Sequence, residues 1–497
     1  MNNLAELLVR RRETSPRQRF GMIDAPEPYA DVYDRAARIA GALAAAGVGP
    51  GHRVAVVGTN SPSYLVTWMA LQLAGAETAM VNPTYPDDLL HEMFTDLEPE
   101  AVLWVGPPPR EATWPGGRHL DAGRSAELVL GSGGTEQRAG PAPARLPGLD
   151  RAARDIAGYM HTSGTTGTPK FCAQSHEYFL RLGRFIADSL GLGETDTVFA
   201  PLPLFHINPL GYGVIGGLVA GAEVLSAERF SARGFWPAVR TAEVTAVVLH
   251  APPVEILKRA TTPADAEGHK VRIVFFADAG FLESFRVPMG VSAYGSTEAG
   301  GLCHVWTWRR GDIADLAEGM SRYGGRSRHD VEWTVRADGE ILVRATRPGV
   351  LFDGYFKQGE LRRPFDADGW FATGDLGRID EAGNLVFIER AAESIRVKGE
   401  YVPIGFVEDH FAKLTGIQDL AIWREPSELA GSDDVALYVA SDVVDVESIR
   451  SARLALPAFM RPSLLVRVKD IPRDAGVGKI RRRSLTEAER IETLALS

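Results

Sequence analysis

The run Ile156-Ala157-Gly158-Tyr159-Met160, followed almost at once by Thr162-Ser163-Gly164-Thr165-Thr166-Gly167-Thr168-Pro169-Lys170, decides how this chain is read. An extended apolar segment delivers the backbone into a loop of Gly, Ser and Thr that ends in one lysine. Successive N–H groups in such a loop, with hydroxyls and an ammonium beside them, form a concavity suited to a polyphosphate. The spacing is not that of a Walker A loop, because two residues separate Gly164 from Gly167 and Pro169 precedes Lys170. A polar surface turn would have the same composition, so other segments must choose between the two readings.

Three of them favour the phosphate loop. Tyr294-Gly295-Ser296-Thr297-Glu298-Ala299-Gly300 sets an aromatic ring, a hydroxyl and a carboxylate side by side after an apolar stretch. Phe371-Ala372-Thr373-Gly374-Asp375-Leu376-Gly377-Arg378 places an acid in a Gly-bounded turn, a good acceptor for two ribose hydroxyls. Gly478-Lys479-Ile480-Arg481-Arg482-Arg483 is a basic loop near the end, preceded by Pro472 and Gly476. Taken singly, Glu298 would be a solvated loop acid, Asp375 an ordinary turn aspartate and Arg481 to Arg483 a solvated run.

The surroundings are α/β in texture. Ala36 to Ala46 reads as a helix, Arg53 to Val57 as a strand, Asn60-Ser61-Pro62 as a helix start, and Thr78 to Val81 as a second strand. Tyr64 to Val81 is the longest apolar run, but Gln72 and Glu77 interrupt it, so it predicts a buried helix feeding a strand and no membrane span. From Gly106 to Asp150, Pro, Gly, Ala and Arg dominate, predicting a surface connection with at most one strand, near Ala126 to Leu130. Strands are predicted again at Thr245 to Leu249 and Val271 to Phe276. Beyond Glu332 the texture turns β-rich, with turns at Asp338-Gly339 and Glu381-Ala382-Gly383.

Composition narrows the function classes. The chain has 497 residues, enough for about three domain-sized units. With 54 basic and 64 acidic side chains its net charge is -10, which argues against nucleic acid as a partner. Cys172 and Cys303 are the two cysteines, too few for a disulfide framework. Leu4 to Val9 is broken by Glu6 and runs into Arg10-Arg11-Arg12, predicting a short amphipathic helix and no leader. The cytoplasm is the expected location.

With its four ordered motifs, the chain resembles the adenylate-forming superfamily, which holds acyl-CoA synthetases, aryl-CoA ligases, luciferases and the adenylation domains of peptide synthetases. The resemblance runs from Tyr29-Ala30-Asp31 through Asn60-Ser61 and Asn82-Pro83 to the final basic loop. It implies a large N-terminal α/β domain, 1–376, of stacked mixed sheets with a β-rich subdomain. It also implies a small mobile α+β domain, 377–497, that closes over the first.

Residue by residue, it implies that Thr162, Ser163, Gly164, Thr165, Thr166, Gly167 and Lys170 hold the β and γ phosphates of ATP. Tyr294 would pack on adenine and Thr297 would touch the α-phosphate. Glu298 would hold Mg²⁺, and Asp375 the ribose hydroxyls, with Arg390 nearby. Lys479 would bridge the acid's oxygen and the α-phosphate, offsetting the repulsion between carboxylate and phosphate. His206 would gate the acyl pocket, which Asp278, Ala279 and Gly295 would line. The implied reaction joins a small-molecule acid to AMP, releases pyrophosphate, and passes the acyl group to a nucleophile, with CoA the expected cosubstrate. Oligomeric state is not implied.

Two departures from the family pattern stand out. Ala392 replaces a polar hinge residue, and Asp278 sits where a small or apolar residue is usual. A carboxylate in a pocket needs a donor, either a protein side chain or an amino group on the substrate. The second option opens a branch in which nitrite is activated and passed to an aromatic amine, as in a diazotase. A non-catalytic nucleotide sensor is the remaining alternative, against which Lys479 and Glu298 both argue. Gly211-Tyr212-Gly213-Val214-Ile215-Gly216 fits the G-x-G-x-x-G dinucleotide pattern but follows no clear strand, so its glycines are read as close-packing positions on a buried helix.

Overall fold

The protein is described from a computed structural model over residues 1–106, 118–121, 142–162, 169–312, 323–390, 395–398, 400–429, 432–441, 444–473 and 480–496. The loop residues Ser163, Gly164, Thr165, Thr166 and Gly167 lie outside that set, as do Ala392, Lys479 and the expected strand near Ala126. For Arg390 the backbone alone is described. The chain divides into two compact units. One is Met1–Pro83, Phe94–His161 and Phe171–Glu389, and the other is Thr84–Met93, Thr162–Lys170 and Arg390–Ser497. Among the described residues the strands form sheets of thirteen, eight, four and two strands. None of the described helices is long and apolar enough to cross a membrane.

The eight-stranded sheet is a parallel stack at one side, where Arg53–Gly58 lies between Glu77–Val81 and Ala101–Val105. Helix Pro62–Ala74 covers the sheet. Ser61 accepts the Tyr64 amide as its N-cap, Pro62 needs no amide partner in the first turn, and Gly75 ends the helix at φ 79°. Ser63 to Ala74 are all buried, as a helix apolar on every side requires. Each large side chain there stabilises the fold by roughly 1.5–3 kcal/mol. An edge strand, Arg118–Asp121, pairs in parallel with Ala101–Val105. It lies earlier than the expected Ala126, and Leu120 is its one apolar residue, too little for a period-2 signal.

The thirteen-stranded sheet runs in parallel through Arg19–Met22, Glu223–Ser226, Thr197–Ala200, Ala246–Val247, Ile273–Phe275 and Met289–Tyr294. At Met289–Tyr294 it turns antiparallel with His304–Arg309 and continues into the β-rich strands around Glu340–Ala345 and Trp370–Ile379. The G-x-G-x-x-G stretch is no phosphate turn. Residues Asn208–Ile215 form a π-helix continued by α-helix Gly216–Ala220 and closed by Gly221 at φ 85°. A Cβ on Gly213 would overlap the Ala200 methyl, so this glycine exists to let helix and sheet touch.

The second unit is built on strands Asp419–Pro426, Asp433–Ala440, Leu464–Val468 and Arg490–Ala495, with helices Ile404–Ala412 and Val446–Leu454. Ile422, Leu437, Leu465 and Phe411 form its interior. Arg482 from the basic loop is tied to Glu408, its Nη2 donating to Oε2 at 2.8 Å, which gives that arginine a structural task.

Candidate active site

Strand Met289–Tyr294 ends at the aromatic residue of the second motif, and the chain returns as His304–Arg309, with Tyr294 opposite His304. The connecting loop is closed by backbone. The Gly301 amide donates to the Ser296 carbonyl at 2.9 Å and the Cys303 amide to the Tyr294 carbonyl at 3.1 Å. A Cβ on Gly295 would overlap the Gly301 carbonyl oxygen and sit 2.7 Å from Leu302 Cα, so only glycine permits this crossing. Arg328 clamps the loop from outside, donating to the Gly300 and Leu302 carbonyls at 3.2 Å each while its Nε bonds Asp330 at 3.0 Å. Both charged partners are buried, and removing one from such a pair costs about 3–5 kcal/mol.

Tyrosines from distant segments hold the motif residues. Tyr178, on helix His176–Leu190, donates to the Thr297 carbonyl at 2.8 Å. Tyr355 donates to Glu298 Oε1 at 3.1 Å, and the Phe352 amide to the Glu298 carbonyl at 3.1 Å. These supports escape sequence reasoning, since they lie 119 and 57 residues from what they hold and carry no local signature.

Tyr294 and Asp375 are brought into direct contact. The phenol donates to Asp375 Oδ2 at 2.9 Å, and both residues are buried. Burial first, and then the Asp375 charge, push the Tyr294 phenol well above its ordinary value, so it stays a donor. Its ring stacks near Phe387, centroids 5.8 Å apart, and meets His304 edge-on at 5.9 Å. Asp375 lies on strand Trp370–Ile379, and its own amide donates to Thr373 Oγ1 at 3.1 Å. Burial drives the Cys303 thiol up to about 12 and the His304 imidazole down to about 3, so the layer behind Tyr294 is neutral.

His206 sits in a second cluster. Its ring meets Phe205 edge-on at 4.7 Å and lies 6.2 Å from His161, which stacks on Phe205 at 5.9 Å. His161 precedes the quoted phosphate loop by one residue, a position that could have drawn attention to it. Buried Asn60 fixes the segment leading to His206. Its Nδ2 donates to the Leu202 carbonyl at 2.8 Å and the Ala227 carbonyl at 2.9 Å, and its Oδ1 accepts the Leu204 amide at 2.9 Å. Thr162 ends strand Ile156–Thr162 and Lys170 opens strand Lys170–Ser175.

Asp278 finds its donors inside the protein. Its Oδ1 accepts the Phe281 amide at 2.7 Å as N-cap of helix Ala279–Phe285, and Lys258 Nζ reaches Oδ2 at 2.6 Å. Burial pushes this carboxyl up, but the Lys258 and Phe281 bonds outweigh it and the net shift is downward. A substrate amine is therefore not needed to satisfy the charge, and the observation that motivated the diazotase branch is accounted for by Lys258.

A carboxylate positioned by a tyrosine, as Glu298 is, suits a hard divalent cation. Among the described residues no group of three or more His, Cys, Asp or Glu side chains could hold a metal alone. A cation at Glu298 would accordingly complete its shell with substrate phosphate oxygens and water, the usual habit of Mg²⁺.

The Tyr294–Asp375 pair and the Thr297-Glu298 turn on an α/β scaffold are the parts from which a nucleotide site is built. The profile of the AMP-binding enzyme family matches residues 22–354, and the chain belongs to that family. It is 29% identical over 469 residues to the medium/long-chain-fatty-acid–CoA ligase FadD6 of Mycobacterium tuberculosis, covering 88% of this chain and 78% of that protein. It is 26% identical to the 2-succinylbenzoate–CoA ligase of Listeria monocytogenes, over 97% of this chain and 98% of the other. A double mutant of o-succinylbenzoate CoA synthetase (MenE) from Bacillus subtilis, bound with its product analogue OSB-NCoA, has the same fold. Its TM-score is 0.82 at 21% identity, with 99% of this chain and 100% of that one covered.

Proposed function

We propose that the chain is an acid–CoA ligase that forms an acyl-AMP intermediate from a small-molecule acid and ATP. The observation that carries this reading is the buried Tyr294–Asp375 pair beside the Thr297-Glu298 turn, which places an aromatic face, a carboxylate and a hydroxyl together at the end of strand Met289–Tyr294. In this reading the Thr162 to Lys170 loop holds the β and γ phosphates, Tyr294 packs on adenine and Asp375 takes the ribose. Arg390 lies near the ribose, and Lys479 acts on the reacting oxygens. Mg²⁺, when bound, neutralises phosphate charge, and Glu298 is the residue that would hold it. His206, with Gly295 and Ala279, bounds the acid, and rotation of the 377–497 domain would separate the two half-reactions.

CoA is favoured as acceptor because the similar proteins that cover nearly the whole chain carry CoA-ligase names. The experiment is pyrophosphate release across a panel of fatty, aryl and small acids, followed by AMP release with and without CoA. Acid-dependent pyrophosphate with CoA-dependent AMP release is expected. Acid-independent ATP hydrolysis, or AMP release indifferent to CoA, would overturn the reading.

A further inference from the structure

The segment that follows strand Glu340–Ala345 in the first unit carries a groove of about 410 Å³ that none of the roles above uses. Four guanidinium groups line it, from Arg154, Arg344, Arg347 and Arg363, against the carboxylates of Asp353 and Asp368. The charges do not cancel locally. Asp353 is engaged by Arg154, whose Nη2 reaches Oδ1 at 2.5 Å, and its Oδ2 accepts the Ser175 amide at 3.0 Å. Arg344 lies over the Trp370 ring at 4.5 Å, its Nε donating to Glu332 at 2.7 Å. Arg347 and Arg363 are exposed, and among the described residues neither has an acidic partner.

With Arg154 set against Asp353 and Arg344 against Glu332, the guanidiniums of Arg347 and Arg363 share the hollow with one carboxylate, Asp368, a local excess of positive charge on a chain whose net charge is -10. Gathering like charge in a concave surface is unfavourable until an anion enters, and the hollow then focuses the field on it. Phe352 and Phe365, centroids 5.7 Å apart, supply an apolar floor that lowers the local dielectric and strengthens each charge. Guanidinium forks match phosphate oxygens in a bidentate way that a surface lysine does not.

We infer that this groove binds a compact phosphorylated anion of two or more negative charges, held by Arg347 and Arg363. The proposal stands independently of the acid–CoA ligase reading, because none of these arginines is assigned to that reaction.

The test titrates the full chain with inorganic tripolyphosphate at about 150 mM salt, where purely diffuse attraction is screened. Calorimetry and tryptophan emission are read together, since Arg344 on Trp370 makes that ring a local reporter. Saturable binding is expected, with the emission change lost in Trp370→Phe while heat of binding remains. The double variant Arg347→Ser/Arg363→Ser should bind roughly a hundredfold more weakly, about tenfold per guanidinium. It should form pyrophosphate from ATP and acid at the wild-type rate, which shows that it folds. Lys170→Ala should bind tripolyphosphate in the groove as the wild type does, separating it from the nucleotide loop. A second arm with adenosine 3′,5′-bisphosphate ranks a nucleotide against a bare phosphate chain. No saturable binding, or binding that the double variant leaves unchanged, would overturn the proposal.

Discussion

The hydroxyl of Tyr294 and the carboxylate of Asp375 are joined by a 2.9 Å hydrogen bond inside the protein, across 81 residues of chain. One ring and one acid thus form a single rigid element that couples the Tyr294–Gly300 loop to strand Trp370–Ile379. Tyr294→Phe leaves a buried carboxylate short of a donor, a loss of about 1.5–3 kcal/mol. The expected outcome is a lower urea midpoint and a raised KM for ATP. Asp375→Asn, which still accepts from the phenol, should lose less stability. Equal midpoints for wild type and Tyr294→Phe would show that the pair contributes nothing to the fold.

Asn60 contributes differently, by fixing where the Leu202–His206 segment runs. Asn60→Ala abandons the Leu202 and Ala227 carbonyls and the Leu204 amide, and should destabilise by about 3 kcal/mol. In steady-state kinetics the KM for the acid should rise more than the KM for ATP. A change confined to ATP would separate Asn60 from the His206 side of the site.

Stability should depend on pH through His176. This imidazole accepts the Leu4 amide at 3.3 Å through Nδ1, and burial pushes it down to about 4 from an ordinary 6.5. Between those values the unfolded chain binds the proton and the native protein does not, so stability falls as pH drops from 6.5 towards 4 and levels off below. The span corresponds to about 3 kcal/mol. Chemical unfolding at pH 5 and pH 7.5 should read about 2 kcal/mol of that span, and His176→Gln, which keeps an acceptor, should flatten the difference. An unchanged slope in that variant would assign the effect to other groups.

Asp278→Asn keeps a helix cap and loses the Lys258 ion pair. With both side chains partly exposed, the change should cost no more than about 1 kcal/mol. The acid preference should not move, and nitrite with an aromatic amine should release no AMP in either protein. Loss of activity towards amino-bearing acids alone would restore a substrate role for this carboxylate.

Lys479→Ala should abolish pyrophosphate release at saturating acid while ATP still binds, because the proposed task of this lysine concerns the reacting oxygens. Isothermal titration with ATP beside the pyrophosphate assay distinguishes this from a binding defect, and undiminished adenylation would remove Lys479 from the reaction.

Much of the parallel sheet was legible because its signals are local. Val54 to Val57 is a continuous apolar run, and Ser61-Pro62 announces a helix whose every face is apolar. Tyr294, Thr297, Glu298 and Asp375 were legible as motif residues, but the joining of Tyr294 to Asp375 was not. Nor were the supports from Tyr178 and Tyr355, because contacts between strands distant in sequence leave no periodic trace. Asp278 illustrates the same boundary. Its partner Lys258 stands 20 residues earlier on a different helix, and only the packed structure reveals that the charge is already met.

The π-helix Asn208–Ile215 carries a consequence for how this lineage can vary. A π turn holds one residue more than an α turn would, so deleting a single residue there would restore α geometry and leave the segment on its N-terminal side in its orientation. His206 lies on that side, whereas Tyr294 and Asp375 sit on separate strands. This stretch is thus the place where the chain can lose one residue while the His206 side and the strands bearing Tyr294 and Asp375 both keep their register.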